Sequence, residues 1–177
     1  MKIVHIHQAE TLSLNASIVA IGAFDGVHLG HQAVIRKMIE KSLLLKIPSV
    51  VYTFDPPPRV YFNNTKQLTS IKEKIEKISL LGVDHVVVAR FDYHYLNRSV
   101  DQFINELFAL NPKEIIVGDD FRFGKGRNGG IEDLKRVFQV KVIEKICCEK
   151  GRVISSTRIR EMLLNGENEE VEALLNG

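Results

Sequence analysis

Buried-strand patterns alternate with helix patterns along most of this chain, and that alternation limits the folds it can adopt. Apolar runs rich in β-branched residues predict four strands, at 17–22, 49–54, 85–89 and 114–118. Helical apolar spacing lies between them, at about 31–46, 70–81 and 99–110. The strands recur about every thirty residues, which is the length of a βαβ unit. We therefore predict an α/β domain with a doubly wound, mainly parallel sheet and right-handed crossovers.

The pattern changes after Gly118. A loop rich in glycine and charge, a short helix, a strand and two further short helices are predicted in that order, at 119–130, 131–138, 140–146, 157–164 and 168–175. We expect a single domain over residues 1–177, with a small subdomain near 120–150.

Composition excludes several classes of protein. At 177 residues, of which 45% are hydrophobic, the chain can bury a core without disulfides or metals. A net charge of +2 favours neither nucleic acid nor an anionic membrane as a partner. No apolar run reaches the roughly eighteen residues of a membrane span, and the segment at Met1–His5 lacks the apolar core of a secretory signal. The adjacent Cys147 and Cys148 disfavour a structural disulfide, so we expect a cytoplasmic protein.

Three of the predicted strands end in loops of unusual composition, at 22–31, 55–59 and 118–124. In an open parallel sheet, ligands bind beyond the carboxyl ends of the strands, near the point where the strand order reverses. We therefore expect the three loops to meet at one edge of the sheet and to form the functional site.

The first of these loops carries His28, Gly30 and His31 at the predicted start of a helix. A helix N-terminus binds phosphate, and glycine lets the backbone approach a ligand closely. Two imidazoles there can donate hydrogen bonds to oxygens that gain charge during phosphoryl transfer. Helix capping and metal binding are the alternative roles, but two histidines around a glycine directly after a strand favour the functional one.

A second helix start, at residues 154–160, combines hydroxyl side chains with Arg158 and Arg160. Serine or threonine is an ordinary N-cap, whereas arginine in a first turn opposes the helix dipole. A broken local rule of this kind often marks a functional site. A bound triphosphate would resolve the conflict, and solvated arginines are the alternative.

A glycine pattern at residues 124–129 fits the dinucleotide-binding motif, with Glu144 twenty residues after its first glycine. That motif should directly follow a strand, and this one follows a charged loop, so a nicotinamide site is not favoured. The chain contains no phosphate-binding loop of the P-loop NTPase type.

From about Ser17 to its end, the chain resembles the FAD-synthetase module of bacterial bifunctional riboflavin kinase/FMN adenylyltransferases. The matching segments are GAFDGVHLGH at 22–31, TFDPPP at 53–58, LTS at 68–70, VGDDFRFG at 117–124 and ISSTRIRE at 154–161. The His-x-Gly-His element alone also occurs in many other nucleotidylyltransferases and in class I aminoacyl-tRNA synthetases. The loop at 117–124 and the residues FDGV at 24–27 are much more specific to this family, and the presence of all the segments in this order is a strong signal.

This resemblance implies a Rossmann-like nucleotidylyltransferase fold that uses ATP and Mg²⁺ to adenylate FMN, giving FAD and pyrophosphate. The implied ATP-binding residues are Gly22, Phe24, Asp25, Gly26, His28, Gly30, His31, Ser155, Ser156, Thr157 and Arg160. The implied FMN-binding residues are Phe54, Asp55, Pro56, Pro58, Asp120 and Phe121. Those implied to be catalytic are His28, His31, Asp120, Ser156, Thr157 and Arg160. Because the FMN phosphate is already ionised, catalysis would consist of alignment and charge neutralisation without a general base.

The chain departs from the family pattern at two positions and in length. Pro57 stands where members usually carry histidine, and Asp120 stands where they often carry asparagine. Typical members continue into a riboflavin kinase domain, so we expect no phosphorylation of riboflavin by these 177 residues. The chain is either a single-function enzyme or part of a longer one.

Two other functions stay open. A nucleotidylyltransferase acting on pantetheine phosphate or nicotinamide mononucleotide would keep both histidines but not the segment Asp120–Phe123. A non-catalytic flavin- or nucleotide-binding regulator would be expected to lack a histidine or the Thr157/Arg160 pair. A nucleic-acid module is weaker still, since neither a basic face nor an aromatic ladder is visible.

Overall fold

Within the part of the chain that the structure describes, the central sheet has six parallel strands, and the segments predicted as strands all belong to it. The computed structural model describes residues 3–6 as backbone and residues 12–176 with their side chains. Met1, Lys2, residues 7–11 and Gly177, which the predictions for the N-terminus and for a domain over 1–177 include, lie outside the described residues.

The strands are β1 (Ile3–Ile6), β2 (Ser17–Ile21), β3 (Ser49–Asp55), β4 (His85–Arg90), β5 (Pro112–Gly118), β6 (Arg122–Phe123), β7 (Gly129–Gly130) and β8 (Val140–Ile143). The helices are α1 (Leu29–Leu45), α2 (Pro58–Asn63), α3 (Ile71–Leu80), α4 (Tyr93–Leu96), α5 (Val100–Leu107), α6 (Ile131–Lys135), α7 (Ser156–Leu164) and α8 (Asn168–Asn176). The order of strands in the large sheet is β1-β4-β3-β2-β5-β8, and β6 pairs with β7 in a separate antiparallel sheet.

Helices cover both faces of the sheet, as predicted for a doubly wound domain. Alternate residues of each strand point to opposite faces, so Ile18 and Val19 enter two different core clusters. One cluster includes Phe103 of α5 and Leu134 of α6. The other includes Met38 of α1 and Ile78 of α3. Burial on both faces explains why the strands consist of continuous apolar runs.

The strand order reverses beside β2. The chain proceeds from β2 to β3 and β4 on one side, and then crosses to β5 on the other side of β2. This reversal creates a crevice at the carboxyl ends of β2 and β5, which is where such sheets bind ligands. The fold therefore puts the loop after β2 at the most favourable position for a site.

Several elements differ from their predicted form. β1, which pairs with β4, was not predicted as a strand, and the short helices α2 and α4 were also not predicted. β8 ends at Ile143 instead of residue 146, because Ile146 accepts a hydrogen bond from the amide of Ile154 (2.8 Å) in a turn outside the sheet. Among residues 120–150, β8 belongs to the large sheet and α6 packs on the main core. The small subdomain that the sequence suggested near these residues stays a prediction.

α7 and α8 form a third packed unit at the end of the described chain. Their core consists of Ile159, Met162, Val171 and Leu174, together with Ile154. The side chain of Gln32 in α1 donates to the carbonyl of Leu175 (3.3 Å), which ties α8 to the start of α1. Within the described residues, no helix is both long and apolar enough to cross a membrane.

Candidate active site

The three loops predicted to form the site follow three neighbouring parallel strands, β3, β2 and β5. They therefore leave the same edge of the sheet, as predicted. The carbonyl of Ala23 accepts a hydrogen bond from the hydroxyl of Thr53 (3.0 Å), which joins the first two loops at their bases. α7 closes the site from the other side, because the hydroxyl of Ser156 donates to the carbonyl of Asp25 (2.8 Å).

His28 and His31 form a stacked pair at the N-terminus of α1. Their ring centroids lie 3.6 Å apart with an angle of 18° between the rings. His28 is the N-cap residue, and its Nδ1 accepts a hydrogen bond from the amide of His31 (3.3 Å). In a neutral ring that bond leaves the proton on Nε2, where it can be donated. The capping role, which was the alternative to a functional one, is thus observed and leaves Nε2 available.

Both imidazoles are held in the neutral form. His28 is only 4% exposed, and burial lowers its pKa from 6.5 to about 4. Burial also places the pKa of His31 well below its ordinary value, and the charges of His28 and Lys74 lower that pKa further. Nδ1 of His31 is buried and has no hydrogen-bond partner among the described residues. Unpartnered buried nitrogens are rare in native proteins, and this one lies where a ligand would complete the site.

Two glycines of the first loop leave space for neighbouring rings. A Cβ atom on Gly22 would lie 2.8 Å from Cζ of Phe24, so glycine there leaves room for that aromatic ring. Phe24 in turn contacts His31 edge-on, with ring centroids 5.4 Å apart. A Cβ on Gly30 would lie 3.2 Å from two ring atoms of His28. Gly22 and Gly30 therefore permit the packing of the aromatic and imidazole rings.

Asp25 is an internal anchor of the first loop. Its side chain is 3% exposed and accepts hydrogen bonds from the amides of Leu68 (3.0 Å) and Thr69 (3.3 Å). The amide of Gly26 donates to the hydroxyl of Thr69 (3.1 Å). Asp25 also forms an ion pair with Arg160 of α7. The segment LTS at 68–70, noted in the sequence, thus holds the loop that contains the histidines.

The arginines at the start of α7 have hydrogen-bond partners within the protein. Besides Asp25, Arg160 binds the carbonyl of Lys66 through Nε (2.8 Å). Arg158 donates from Nη1 to the carbonyls of Arg152 and Val153, both at 3.2 Å. Both side chains are mostly buried, so the alternative of solvated arginines is wrong. Nε and Nη2 of Arg158 are buried without a hydrogen-bond partner among the described residues, and a triphosphate bound at this helix start stays a prediction.

Arg59 is a cation at this site that sequence reasoning missed. Its guanidinium donates to the hydroxyl of Thr157, and it makes no ion pair with any described residue. The hydroxyl of Ser155, the N-cap of α7, already accepts a hydrogen bond from the amide of Arg158 (3.2 Å). Thr157, by contrast, is exposed. The available signal was the position of Arg59, directly after the proline run that ends β3.

The loop after β3 joins an aromatic cluster. Phe54 is buried and contacts Tyr95 and Phe91 edge-on, with ring centroids 5.7 and 6.1 Å away. Phe91 also contacts Tyr61 and Phe62 of α2, whose side chains are partly exposed. Because Phe54 itself lies in the core, the exposed aromatic surface beside this loop comes from α2, which the sequence did not single out.

The proline run has a structural explanation at the position where it departs from the family pattern. Pro57 is buried and is the N-cap residue of α2, and Pro58 occupies the first helical position, where proline is favoured. Asp55 and Pro56 are partly exposed at the end of β3, and Gln67 reaches toward the Asp55 carboxylate (3.4 Å).

Asp120 projects from the end of β5. Its side chain is 77% exposed, and Nζ of Lys145 lies 3.9 Å from its carboxylate and 4.0 Å from that of Asp119. Phe121 is partly buried and stacks on Phe123, with ring centroids 5.7 Å apart. The extra negative charge that aspartate brings to this position therefore has a lysine beside it.

Lys74 is a second cation that sequence reasoning missed. It is fully buried in α3, and its Nζ donates to the carbonyls of Ala23 and Phe54, both at 2.9 Å. The signal was present in the helical pattern, because Lys74 shares the spacing of the apolar positions Ile71 and Ile78.

The described residues contain no cluster of three or more histidine, cysteine, aspartate or glutamate side chains that could hold a metal ion. Mg²⁺ is commonly bound through one or two carboxylates together with the phosphates of the substrate. The exposed carboxylates of Asp119 and Asp120 fit that kind of site, and they do not fit an all-protein cage.

Comparisons with known proteins agree on one family. The sequence model of the FAD synthetase family matches residues 10–158. A Geobacillus thermodenitrificans protein, provisionally named a bifunctional riboflavin kinase/FMN adenylyltransferase, is 52% identical over 96% of either chain. The bifunctional riboflavin kinase/FMN adenylyltransferases of Listeria monocytogenes and Escherichia coli are 36% and 34% identical. The present chain spans 99% of its own length in those two matches but 59% of theirs.

Solved structures give the same fold. A Streptococcus pneumoniae structure described as a macrolide-efflux protein superposes with a TM-score of 0.87 and 29% identity, over 100% of this chain and 62% of the other. A Francisella tularensis pantoate-beta-alanine ligase superposes with a TM-score of 0.62 and 13% identity, over 97% of this chain and 78% of the other. The second likeness concerns the fold alone.

Proposed function

Because this chain belongs to the FAD synthetase family, we propose that it is a nucleotidyltransferase that transfers AMP from ATP to FMN, giving FAD and pyrophosphate. The observation that carries the proposal is the stacked pair of neutral imidazoles, His28 and His31, at the N-terminus of α1. The pair lies at the carboxyl end of β2, beside the reversal of strand order. Phosphate groups bind well at such a helix start.

In the proposed reaction, a phosphate oxygen of FMN attacks the α-phosphorus of ATP. The new bond joins the two phosphates of FAD, and the bond from the α-phosphorus to the bridging oxygen breaks, so that pyrophosphate leaves with the electron pair. No proton must be removed from the FMN phosphate, because it is already ionised at neutral pH. The protein is left with two tasks, which are alignment of the substrates and stabilisation of the negative charge.

His28 and His31 are proposed to donate hydrogen bonds to the oxygens on the α-phosphorus. A neutral imidazole can donate one hydrogen bond without adding a permanent charge at this position. The orphaned Nδ1 of His31 supports a bound group in this part of the site. Gly22, Phe24, Gly26 and Gly30 are proposed to act by shaping the loop around ATP, as their packing suggests.

The outgoing pyrophosphate is proposed to bind at the start of α7. Ser156 and Thr157 lie in its first turn, and Arg59 brings a guanidinium to the same place. Arg160 is proposed to act through Asp25, because its guanidinium already pairs with that carboxylate. It would keep the loop of the histidines against α7 while the substrates react.

FMN is proposed to lie between the loops after β3 and β5. Asp55, Pro56 and Pro58 flank it on one side, and Asp120 and Phe121 flank it on the other. The exposed rings of Tyr61 and Phe62 offer aromatic surface close by. Asp120 and Asp119 would hold a Mg²⁺ ion together with the triphosphate, and the ion would supply neutralisation of the phosphate charge.

The test is product formation by the purified chain with ATP and Mg²⁺, followed by liquid chromatography. FMN is compared with riboflavin, which lacks the attacking phosphate, and with pantetheine phosphate and nicotinamide mononucleotide. FAD formed from FMN alone is the expected result. A product from another phosphorylated acceptor and none from FMN would show that the acceptor is not FMN. ATP binding without any product would identify a regulator instead of an enzyme.

A further inference from the structure

A buried ammonium group lies beneath the candidate active site, and no step of the proposed reaction uses it. Lys74 is 0% exposed, and its Nζ donates to the carbonyl of Ala23 and to the carbonyl of Phe54, both at 2.9 Å. Burying a lysine is costly, because its charge loses the solvation of water. Such groups are retained in proteins when they have a specific task or a strong partner.

Lys74 has no carboxylate within ion-pair distance among the described residues. The carboxylates whose charges act on it are Asp25 and Asp55, and each of them has another hydrogen-bond donor. Its direct partners are two neutral carbonyls, which by themselves do not offset the cost of a buried charge. A purely structural explanation as one half of a buried salt bridge therefore fails.

The two carbonyls lie at the bases of the two loops that the proposed function assigns to different substrates. Ala23 lies in the loop of residues 22–31, which carries His28 and His31 and which we assign to ATP. Phe54 directly precedes Asp55, the first residue of the segment 55–58, which we assign to FMN. One Nζ atom thus bridges the ATP-side loop and the FMN-side loop at their bases.

We propose that Lys74 is a positioning residue that fixes the ATP-side loop relative to the FMN-side loop through these two hydrogen bonds. This inference rests on the proposed function, because it requires that the two loops hold the two reacting substrates. In-line transfer between two bound anions depends steeply on their relative placement, and a displacement of about 1 Å can lower the rate about 100-fold. Together with the hydrogen bond from the hydroxyl of Thr53 to the carbonyl of Ala23, the two hydrogen bonds of Lys74 control that placement.

The charge of Lys74 also bears on the histidine pair. Burial lowers the pKa of Lys74 to about 8, and the carboxylates of Asp25 and Asp55 oppose that decrease. Lys74 therefore carries a positive charge at neutral pH, and this charge lowers the pKa of His31. The same side chain that joins the loops thus helps to keep His31 neutral.

The experiment compares FAD formation by the wild type with that of Lys74→Met, Lys74→Arg and the control Lys72→Met. Methionine has similar length and no donor, arginine keeps a donor and a charge, and Lys72 is exposed on the same helix. We expect Lys74→Met to lower kcat about 100-fold, with the KM values for ATP and for FMN each within about threefold of the wild type. Lys74→Arg should retain most of the wild-type kcat, and the kcat of Lys72→Met should equal that of the wild type.

A second readout does not depend on turnover. Amide hydrogen exchange of Lys74→Met should be faster in both the ATP-side loop and the FMN-side loop, with unchanged protection in β2 to β5. If the methionine variant does not fold, Lys74→Gln replaces it, since glutamine is polar but is uncharged and shorter than lysine.

Two results would overturn the inference. One is a folded Lys74→Met protein with the kcat of the wild type. The other is faster exchange in one loop only, which would show that Lys74 supports that loop and does not join the two. Absence of FAD formation by the wild type would instead contradict the proposed function, so the two failures can be distinguished.

Discussion

At the residue scale, the histidine pair combines a structural role with a proposed chemical one. Nδ1 of His28 caps α1, and burial keeps the ring neutral, so its Nε2 proton is available for a substrate oxygen. A solvent-exposed histidine of ordinary pKa would be partly protonated near neutral pH and would vary with it. The local environment therefore makes the donor independent of pH over the physiological range.

His28→Ala is expected to lower kcat for FAD formation by about 100- to 1000-fold, because one preorganised donor to the transition state is lost. Steady-state kinetics on the folded variant measure the effect. His94→Ala, at an exposed position on α4, is the control and should behave as the wild type. Wild-type turnover in His28→Ala would refute the assigned role.

The same histidine predicts a dependence of stability on acid. The pKa of His28 is about 4 in the folded state and 6.5 for an unperturbed histidine. Between these values the unfolded chain takes up a proton that the folded chain does not, so stability falls as the pH drops from 6.5 toward 4. At pH 4.5 this single group should cost about 2.5 kcal/mol.

Urea unfolding at pH 7 and pH 4.5 tests this prediction on wild type and His28→Asn. Asparagine can still cap α1 but does not titrate. The His28→Asn variant should therefore lose about 2.5 kcal/mol less stability than the wild type between pH 7 and pH 4.5. Equal losses in the two proteins would mean that His28 is not held neutral by burial.

At the scale of elements, the ion pair between Asp25 and Arg160 links the loop after β2 to α7. Arg160→Ala should lower the free energy of unfolding by about 3 kcal/mol, because it leaves a buried carboxylate without its cation. Arg136→Ala is the matched control: its exposed pair with Asp133 should contribute less than about 1 kcal/mol. Chemical denaturation gives both values.

Kinetics on the same Arg160→Ala variant separate two roles of the arginine. Where the protein is folded, we expect the apparent KM for ATP to rise more than that for FMN, since the displaced loop carries the ATP-side histidines. An unchanged KM for ATP would place the triphosphate away from this loop and from α7.

At the scale of the whole molecule, residues 120–150 bear on how the chain unfolds. Leu134 of α6 lies in the main core, and β8 pairs with β5 of the large sheet. We expect one cooperative transition, in which far-UV circular dichroism and tyrosine fluorescence change together with temperature. A separate early transition, assigned to 120–150 by hydrogen exchange, would instead indicate an independent subdomain.

The sequence alone determined the alternation of strands and helices, the edge of the sheet where the loops meet, and the histidine pair at a helix start. These features are local, because apolar periodicity, glycine and proline act over a few neighbouring residues. The family also followed from short contiguous segments, such as residues 22–31 and 117–124. Such contiguous loop segments identify the family without any knowledge of distant contacts.

Only the tertiary structure decided which side chains meet across long sequence separations. It paired Arg160 with Asp25, placed Arg59 on Thr157, and brought the buried ammonium of Lys74 to two carbonyls at the bases of two loops. It also added β1 to the edge of the sheet beside β4. No local pattern specifies such partners, because they are selected by the packing of whole elements, and a charged residue in a sequence gives no sign of which partner that packing will supply.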